Sequence, residues 1–178
     1  MKRLMSVLAA AALCMGTASA APVQWSVNGH WYEAVSAPGI TWTDAKAAAE
    51  AAGGYLATLT SLAESDFVYN ALAVGGQPLW LGGTQATTAT SAADGWEWVT
   101  GEAWSFTNWA AGEPNNFGNE RSLAFAFFSA GKWNNAPTGY TGYTNGGYIV
   151  ERLPEPASLA LVGAALVGLG LVRRKRQS

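Results

Sequence analysis

Apolar and polar positions divide the chain into three stretches. Residues 4–15 are an apolar run behind Lys2-Arg3, and the small-residue triplet Ala18-Ser19-Ala20 follows. This order predicts a secretory signal peptide over residues 1–20, cut after Ala20. At the other end, the sixteen residues 157–172 carry no charge. They lie between Pro154-Glu155-Pro156 and Arg173-Arg174-Lys175-Arg176. As a helix they would rise ~24 Å, short of a ~30 Å hydrocarbon core by an amount that leading residues or local thinning supply. Apart from Ser158 the stretch has no polar face, so it predicts a transmembrane helix with its basic cluster held in the cytoplasm.

Between these ends, residues 25–152 read as one domain. Residues 25–35 alternate as a strand, with Trp31, Glu33 and Val35 on one face and Tyr32 and Ala34 on the other. After the Pro38-Gly39 turn, Thr41-Trp42-Thr43-Asp44 opens an Ala-rich helix that Gly53-Gly54 stops. Residues 55–59 predict a short strand. Ser61-Leu62-Ala63-Glu64 is a capping box that opens a second helix, ending at Ala73. The period then changes. Short apolar runs at 79–81, 96–99, 122–128 and 147–151 predict strands, and Trp133-Asn134-Asn135 follows a turn. Residues 84–95, 100–120 and 136–147 predict loops rich in Gly, Asn, Thr and Pro. Two helices followed by short strands and long loops predict an α+β fold, and loops this long are usually functional.

Composition sharpens this picture. Charged residues are 12% of the chain, about half the usual share. Residues 21–152 hold four basic and eleven acidic side chains, a formal balance of −7. An acidic domain repels nucleic acid, so no nucleic-acid partner is expected. Cys14 is the only cysteine and lies within the signal peptide. The exported chain therefore has no disulfide, thiolate metal site or cysteine nucleophile, and must rely on its core.

The chemistry concentrates between Glu113 and Asn135. Calcium takes six to eight oxygen ligands, and Glu113, Asn115, Glu120, Asn134 and Asn135 are all oxygen donors in predicted loops. Pro114 can fix the backbone so that Glu113 and Asn115 present their oxygens together. As plain turn chemistry, Pro114-Asn115-Asn116-Phe117-Gly118-Asn119 would look the same. Enzyme chemistry finds little material. His30 is the only histidine, which excludes a His-rich zinc site. Nothing fixes the separation of carboxylate pairs such as Glu97 and Glu102, as a glycosidase needs. No phosphate-cradling glycine pattern is present. The chain is therefore expected not to be an enzyme.

Two resemblances extend this reading. Pro154-Glu155-Pro156, the apolar stretch and the Arg-rich cluster resemble a PEP-CTERM sorting signal over residues 153–178. That resemblance implies a Gram-negative exporter, processing at the inner membrane by an exosortase-type enzyme, and a link to exopolysaccharide or biofilm matrix. The protein would be transiently anchored by 157–172, then at the cell surface or extracellular. The middle block is similar to C-type lectin-like domains. The anchors are Thr41-Trp42-Thr43-Asp44-Ala45, Gly54-Tyr55-Leu56-Ala57, Trp80-Leu81-Gly82-Gly83, Trp96-Glu97-Trp98, Asn108-Trp109, Gly112-Glu113-Pro114-Asn115-Asn116, Trp133-Asn134 and Gly147-Tyr148-Ile149-Val150-Glu151. The family implies a double-loop fold: two helices flanking small antiparallel sheets, with a long ligand-binding loop region.

By this resemblance, Glu113 and Asn115 ligate calcium across a cis bond at Pro114, joined by Glu120 and Asn134. The same groups would hydrogen-bond two neighbouring sugar hydroxyls, and Glu-Pro-Asn is the variant associated with mannose-type geometry. The sequence departs from the family twice. Asn135 stands where Asp is usual, which lowers the carboxylate count from three to two. The Glu113-to-Glu120 spacing is also one residue short. Among the aromatics, Trp42, Trp80, Trp96 and Trp98 are expected in the core. Trp104, Trp109, Tyr140 and Tyr143 are expected near the loops as sugar-stacking candidates, Trp109 and Tyr140 foremost. The expected function is calcium-dependent binding of a glycan or exopolysaccharide. The alternative is a calcium-independent protein-interaction or structural matrix module.

Overall fold

The computed structural model of the protein describes residues 20–72, 77–127, 129–142 and 146–154. The expected signal peptide before Ala20, the expected helix over 157–172, and Ala73, Phe128 and Tyr143 lie outside the described residues.

Both helices start as their sequences dictate. Helix α1 (Trp42–Ala51) is capped by Thr41, whose Oγ1 accepts from the Asp44 N–H, and it buries Trp42, Ala45 and Ala49 along one stripe. Gly53, at φ +76°, turns the chain out of the helix. Helix α2 (Leu62–Ala71) is capped by Ser61, whose Oγ accepts from the Glu64 N–H. The returning half of the capping box lands one residue early: Glu64 Oε2 accepts from the Thr60 N–H and hydroxyl, at 2.7 and 3.0 Å.

The strands are β1 (Val23–Gln24), β2 (Trp31–Ser36), β3 (Tyr55–Leu56), β4 (Leu79–Gln85), β5 (Trp96–Trp98), β6 (Ser122–Phe125), β7 (Trp133–Ala136) and β8 (Gly147–Arg152). The expected strand at 25–35 is in fact a turn followed by a strand. Residues 25–30 fold back, with the Gly29 N–H donating to Trp25 O and Gly29 at φ +76°. The expectation of small antiparallel sheets is also corrected. One eight-stranded network runs β1-β2-β8-β4-β6-β7, with β3 on β8 and β5 on β4. Its β4–β8 pair is parallel, so the sheet is mixed. Two hydrophobic cores lie on either side of the central strands. Trp80, Tyr148 and Val150 face α1, while Leu81, Leu123 and Ile149 face the other way. Gly147 is obligatory at the β2 crossing, because a Cβ there would strike the Val35 carbonyl.

Two carboxylates stitch this frame together. Glu64 on α2 and Glu151 on β8 are almost fully buried. The Tyr32 hydroxyl donates to Glu64 Oε1 at 2.5 Å, and the Thr58 N–H donates to Glu151 Oε2 at 2.8 Å. His30 Nδ1 meets Glu151 Oε1 at 2.5 Å. Burial, above all, holds the Glu151 carboxyl above its ordinary range.

Candidate functional site

The long loop before β6 is held by indoles. Trp109 bridges to Trp133 backbone to backbone, with the Trp133 N–H donating to Asn108 O and the Ala110 N–H to Trp133 O. Above this bridge Trp96, Trp98, Trp104, Trp109 and Trp133 pack as one cluster, with ring centroids 4.5 Å apart for Trp98–Trp104 and 4.9 Å for Trp96–Trp109. Trp104 and Trp109 are half-buried here. Expected near the loops as sugar-stacking candidates, they pack their rings against other indoles and keep part of their surface exposed. A loop without disulfides needs an apolar anchor of its own, and these residues provide it. Tyr140 is half-buried against Phe127 and covers the α1-side core.

This anchored loop leads into residues 113–120, which lie against β7. The Glu113–Pro114 bond is cis. Glu113 and Asn115 face each other: Asn115 Nδ2 donates to Glu113 Oε1 at 2.8 Å, and the Asn115 N–H donates to Glu113 Oε2 at 3.1 Å. Asn115 Oδ1 in turn accepts from the Phe117 N–H at 2.8 Å. Asn116 and Asn119 adopt φ of 56° and 68°, and Asn116 Oδ1 accepts from the Glu120 N–H. Asn tolerates this left-handed backbone better than most residues. The loop is thus closed by its own amides.

Asn134 and Asn135 are neighbours on β7, paired with Ala124 and Leu123 of β6. Strand alternation sends their side chains opposite ways. Asn135 is fully buried and clamps the loop at two points. Its Oδ1 accepts from the Asn115 N–H and its Nδ2 donates to Glu120 O, both at 3.2 Å. The sequence expectation of Asn135 as a metal ligand meets a side chain already committed at both ends.

Among the described residues, two buried side-chain oxygens have no hydrogen-bond partner: Glu120 Oε2 and Asn134 Oδ1. A buried acceptor without a donor is costly unless something positive completes it. Burial first, and the nearby Glu113 carboxylate second, push the Glu120 carboxyl up to about 7. A cation would relieve the orphaned Glu120 oxygen and its repulsion with Glu113, so these two carboxylates fit one chemically. Among the described residues no three His, Cys, Asp or Glu side chains cluster, so such a site would rest on two carboxylates and amide oxygens.

The structure adds one residue that the sequence reading passed over. Phe117 is 83% exposed, at the tip of the same loop. The available signal was an aromatic within an Asn/Gly turn, where no regular element can bury it.

The profile of the Lectin C-type domain matches residues 39–143, and that of the PEP-CTERM protein-sorting motif matches 153–176. Human C-type mannose receptor 2 is 30% identical over 111 residues, which is 62% of this chain and 7% of the receptor. Chicken hepatic lectin is 32% identical over 119 residues, covering 65% of this chain and 52% of the lectin. This chain thus spans a small part of the receptor and about half of the lectin. Among solved structures, the carbohydrate-recognition domain of the mouse scavenger receptor C-type lectin superposes with a TM-score of 0.57 at 26% identity, covering 71% of this chain and 92% of that domain. On the double match of loop architecture and sequence, the chain belongs to the C-type lectin domain family and carries a PEP-CTERM sorting motif behind that domain.

Proposed function

We propose that this is an exported carbohydrate-binding protein that recognises glycans with the help of calcium. The observation that carries the reading is the buried, unpartnered Glu120 Oε2 near the Glu113 carboxylate, which in turn holds Asn115; the second unpartnered oxygen, Asn134 Oδ1, supplies a further candidate ligand. Glu113, Glu120 and Asn134 would hold the ion, with Asn115 turning its amide from Glu113 toward a ligand. A bound calcium would supply Lewis-acid coordination to sugar hydroxyls. The chain's own groups then fix which sugar fits: carboxylates accept from hydroxyls, and the Asn115 amide donates to them. The exposed Phe117 ring offers a flat apolar face to the C–H side of a pyranose. Mannose-type sugars are the proposed class. Export, exosortase-type processing of the tail, membrane insertion of 157–172 before processing, and exopolysaccharide as the natural ligand complete the proposal.

Calorimetric titration of calcium into the exported chain, with a chelator control and then a mannose-type glycan screen, tests it. Saturable one-site binding followed by calcium-dependent glycan binding is expected. No calcium heat into the millimolar range would overturn the reading. One observation favours a second reading, a calcium-independent interaction module. The Asn135 clamp closes the loop without any ion. That reading requires partner binding unchanged by chelator.

A further inference from the structure

The end of the domain that leads into the sorting motif is unusually apolar. Three of the most exposed large hydrophobic side chains gather there: Val27 (75% exposed), Leu153 (61%) and Trp31 (39%). Trp31 pairs with Gln24 of β1 on one side and Arg152 of β8 on the other, and Leu153 follows Arg152 directly. Between them runs a groove of about 560 Å³ lined by Pro22, Gln24, Trp31, Arg152, Leu153 and Pro154. Val27 sits on the neighbouring turn. Pro154 packs over that turn, since a Cβ at Gly29 would lie 3.0 Å from Pro154 Cγ. The tail therefore leaves the domain at the turn that carries Val27.

We propose that this face docks on the phospholipid interface of the membrane that holds the unprocessed tail. The argument is one of reach. Only Glu155 and Pro156 separate Pro154 from the first residue of the charge-free stretch. Three Cα steps of 3.8 Å span at most about 11 Å. The headgroup layer on each side of a bilayer is itself roughly 5–8 Å thick. With residues 157–172 inserted, the Pro154 end of the domain has nowhere to sit except at that layer. The inference rests on the proposed insertion of the tail.

The chemistry of the face suits this occupant. Trp is at home at a membrane interface, with its ring among the lipids and its N–H toward water. Arg152 donates to Glu33 Oε2 at 2.6 Å, so this cation of the face already has a carboxylate partner. The domain as a whole carries −7 over residues 21–152. Attraction to anionic lipid is therefore not the driving force, and the contact is apolar and dependent on the tether. A short tether supplies an effective concentration in the millimolar range, enough for a contact too weak to form from free solution.

The test uses the exported chain with its tail, in vesicles of phosphatidylethanolamine and phosphatidylglycerol. It has no cysteine after residue 20, so single sites can be labelled cleanly. An environment-sensitive fluorophore is attached at Val27→Cys, and separately at the exposed Ala111→Cys near the opposite edge strand. Flotation first reports whether the chain is membrane-bound. The expected result is a several-fold brighter, blue-shifted signal at position 27 that shallow nitroxide lipids quench, with no change at 111. Added salt should leave it unaltered, and Trp31→Ser with Leu153→Ser should lower it without removing the chain from the vesicles. A floating chain whose position 27 stays water-exposed overturns the docking face and spares the tail reading. A signal at 27 that needs an added protein partner overturns it as well. A chain that does not float overturns both.

Discussion

Glu120 makes calcium and protons competitors for one site. Its carboxyl is pushed up to about 7 by burial and by Glu113, while a free glutamate titrates near 4.5. Calcium requires the ionised form, so the apparent dissociation constant is multiplied by one plus the ratio of protonated to ionised Glu120. With a value of about 7, binding is about elevenfold weaker at pH 6, about twofold weaker at pH 7, and nearly undiminished at pH 8. Titrations at these three pH values in buffers of different ionisation enthalpy should show about half a proton released per calcium at pH 7. Glu120→Gln should bind more weakly at pH 8 and lose most of the slope. Without calcium, the linkage to stability has the opposite direction. The folded state keeps a proton on Glu120 that the unfolded chain releases earlier, so this contribution is fully present below about pH 4.5 and is lost as pH rises through 7. Calcium should offset that loss. Calcium affinity that is flat from pH 6 to 8 in the natural protein, or an unchanged slope in Glu120→Gln, would refute the reasoning.

Asn135→Asp should have a divided effect. It restores a third carboxylate and strengthens calcium binding, but it removes the donor to Glu120 O, so amides of residues 113–120 should exchange faster in chelator than in the natural protein. Hydrogen exchange with and without calcium measures both halves, and slower exchange in chelator would show that the clamp is misassigned. Phe117→Ala should leave calcium affinity and melting temperature unchanged while weakening glycan binding by about two- to twelvefold, the equivalent of ~0.5–1.5 kcal/mol for an aromatic contact. An equal loss of calcium affinity would place Phe117 in the ion's own cage. Tyr32→Phe deletes the hydroxyl that donates to buried Glu64, and should cost ~1.5–3 kcal/mol in urea unfolding. A cost within ~0.5 kcal/mol would mean that Asn28, which also donates to Glu64 Oε1 at 3.1 Å, satisfies that oxygen without the tyrosine.

What the sequence determined by itself was local. Thr41 and Ser61 marked both helix starts because a cap is a matter of three or four adjacent residues. The burial of Trp42, Trp80, Trp96 and Trp98 was legible because each sits in an anchor segment of the family resemblance and a domain without disulfides needs large buried side chains. The donor types of the candidate site, Glu113, Asn115, Glu120 and Asn134, were visible as letters in a loop. Tertiary structure decided the rest, because each remaining fact depends on residues far apart in the chain. The parallel β4–β8 pair joins segments about seventy residues apart, which no local period reports. Trp109 was drawn into the indole cluster because β7 lies beneath it. Asn134 and Asn135 look alike in sequence. The pleat of β7 turned one into an open acceptor and the other into the clamp that holds the loop.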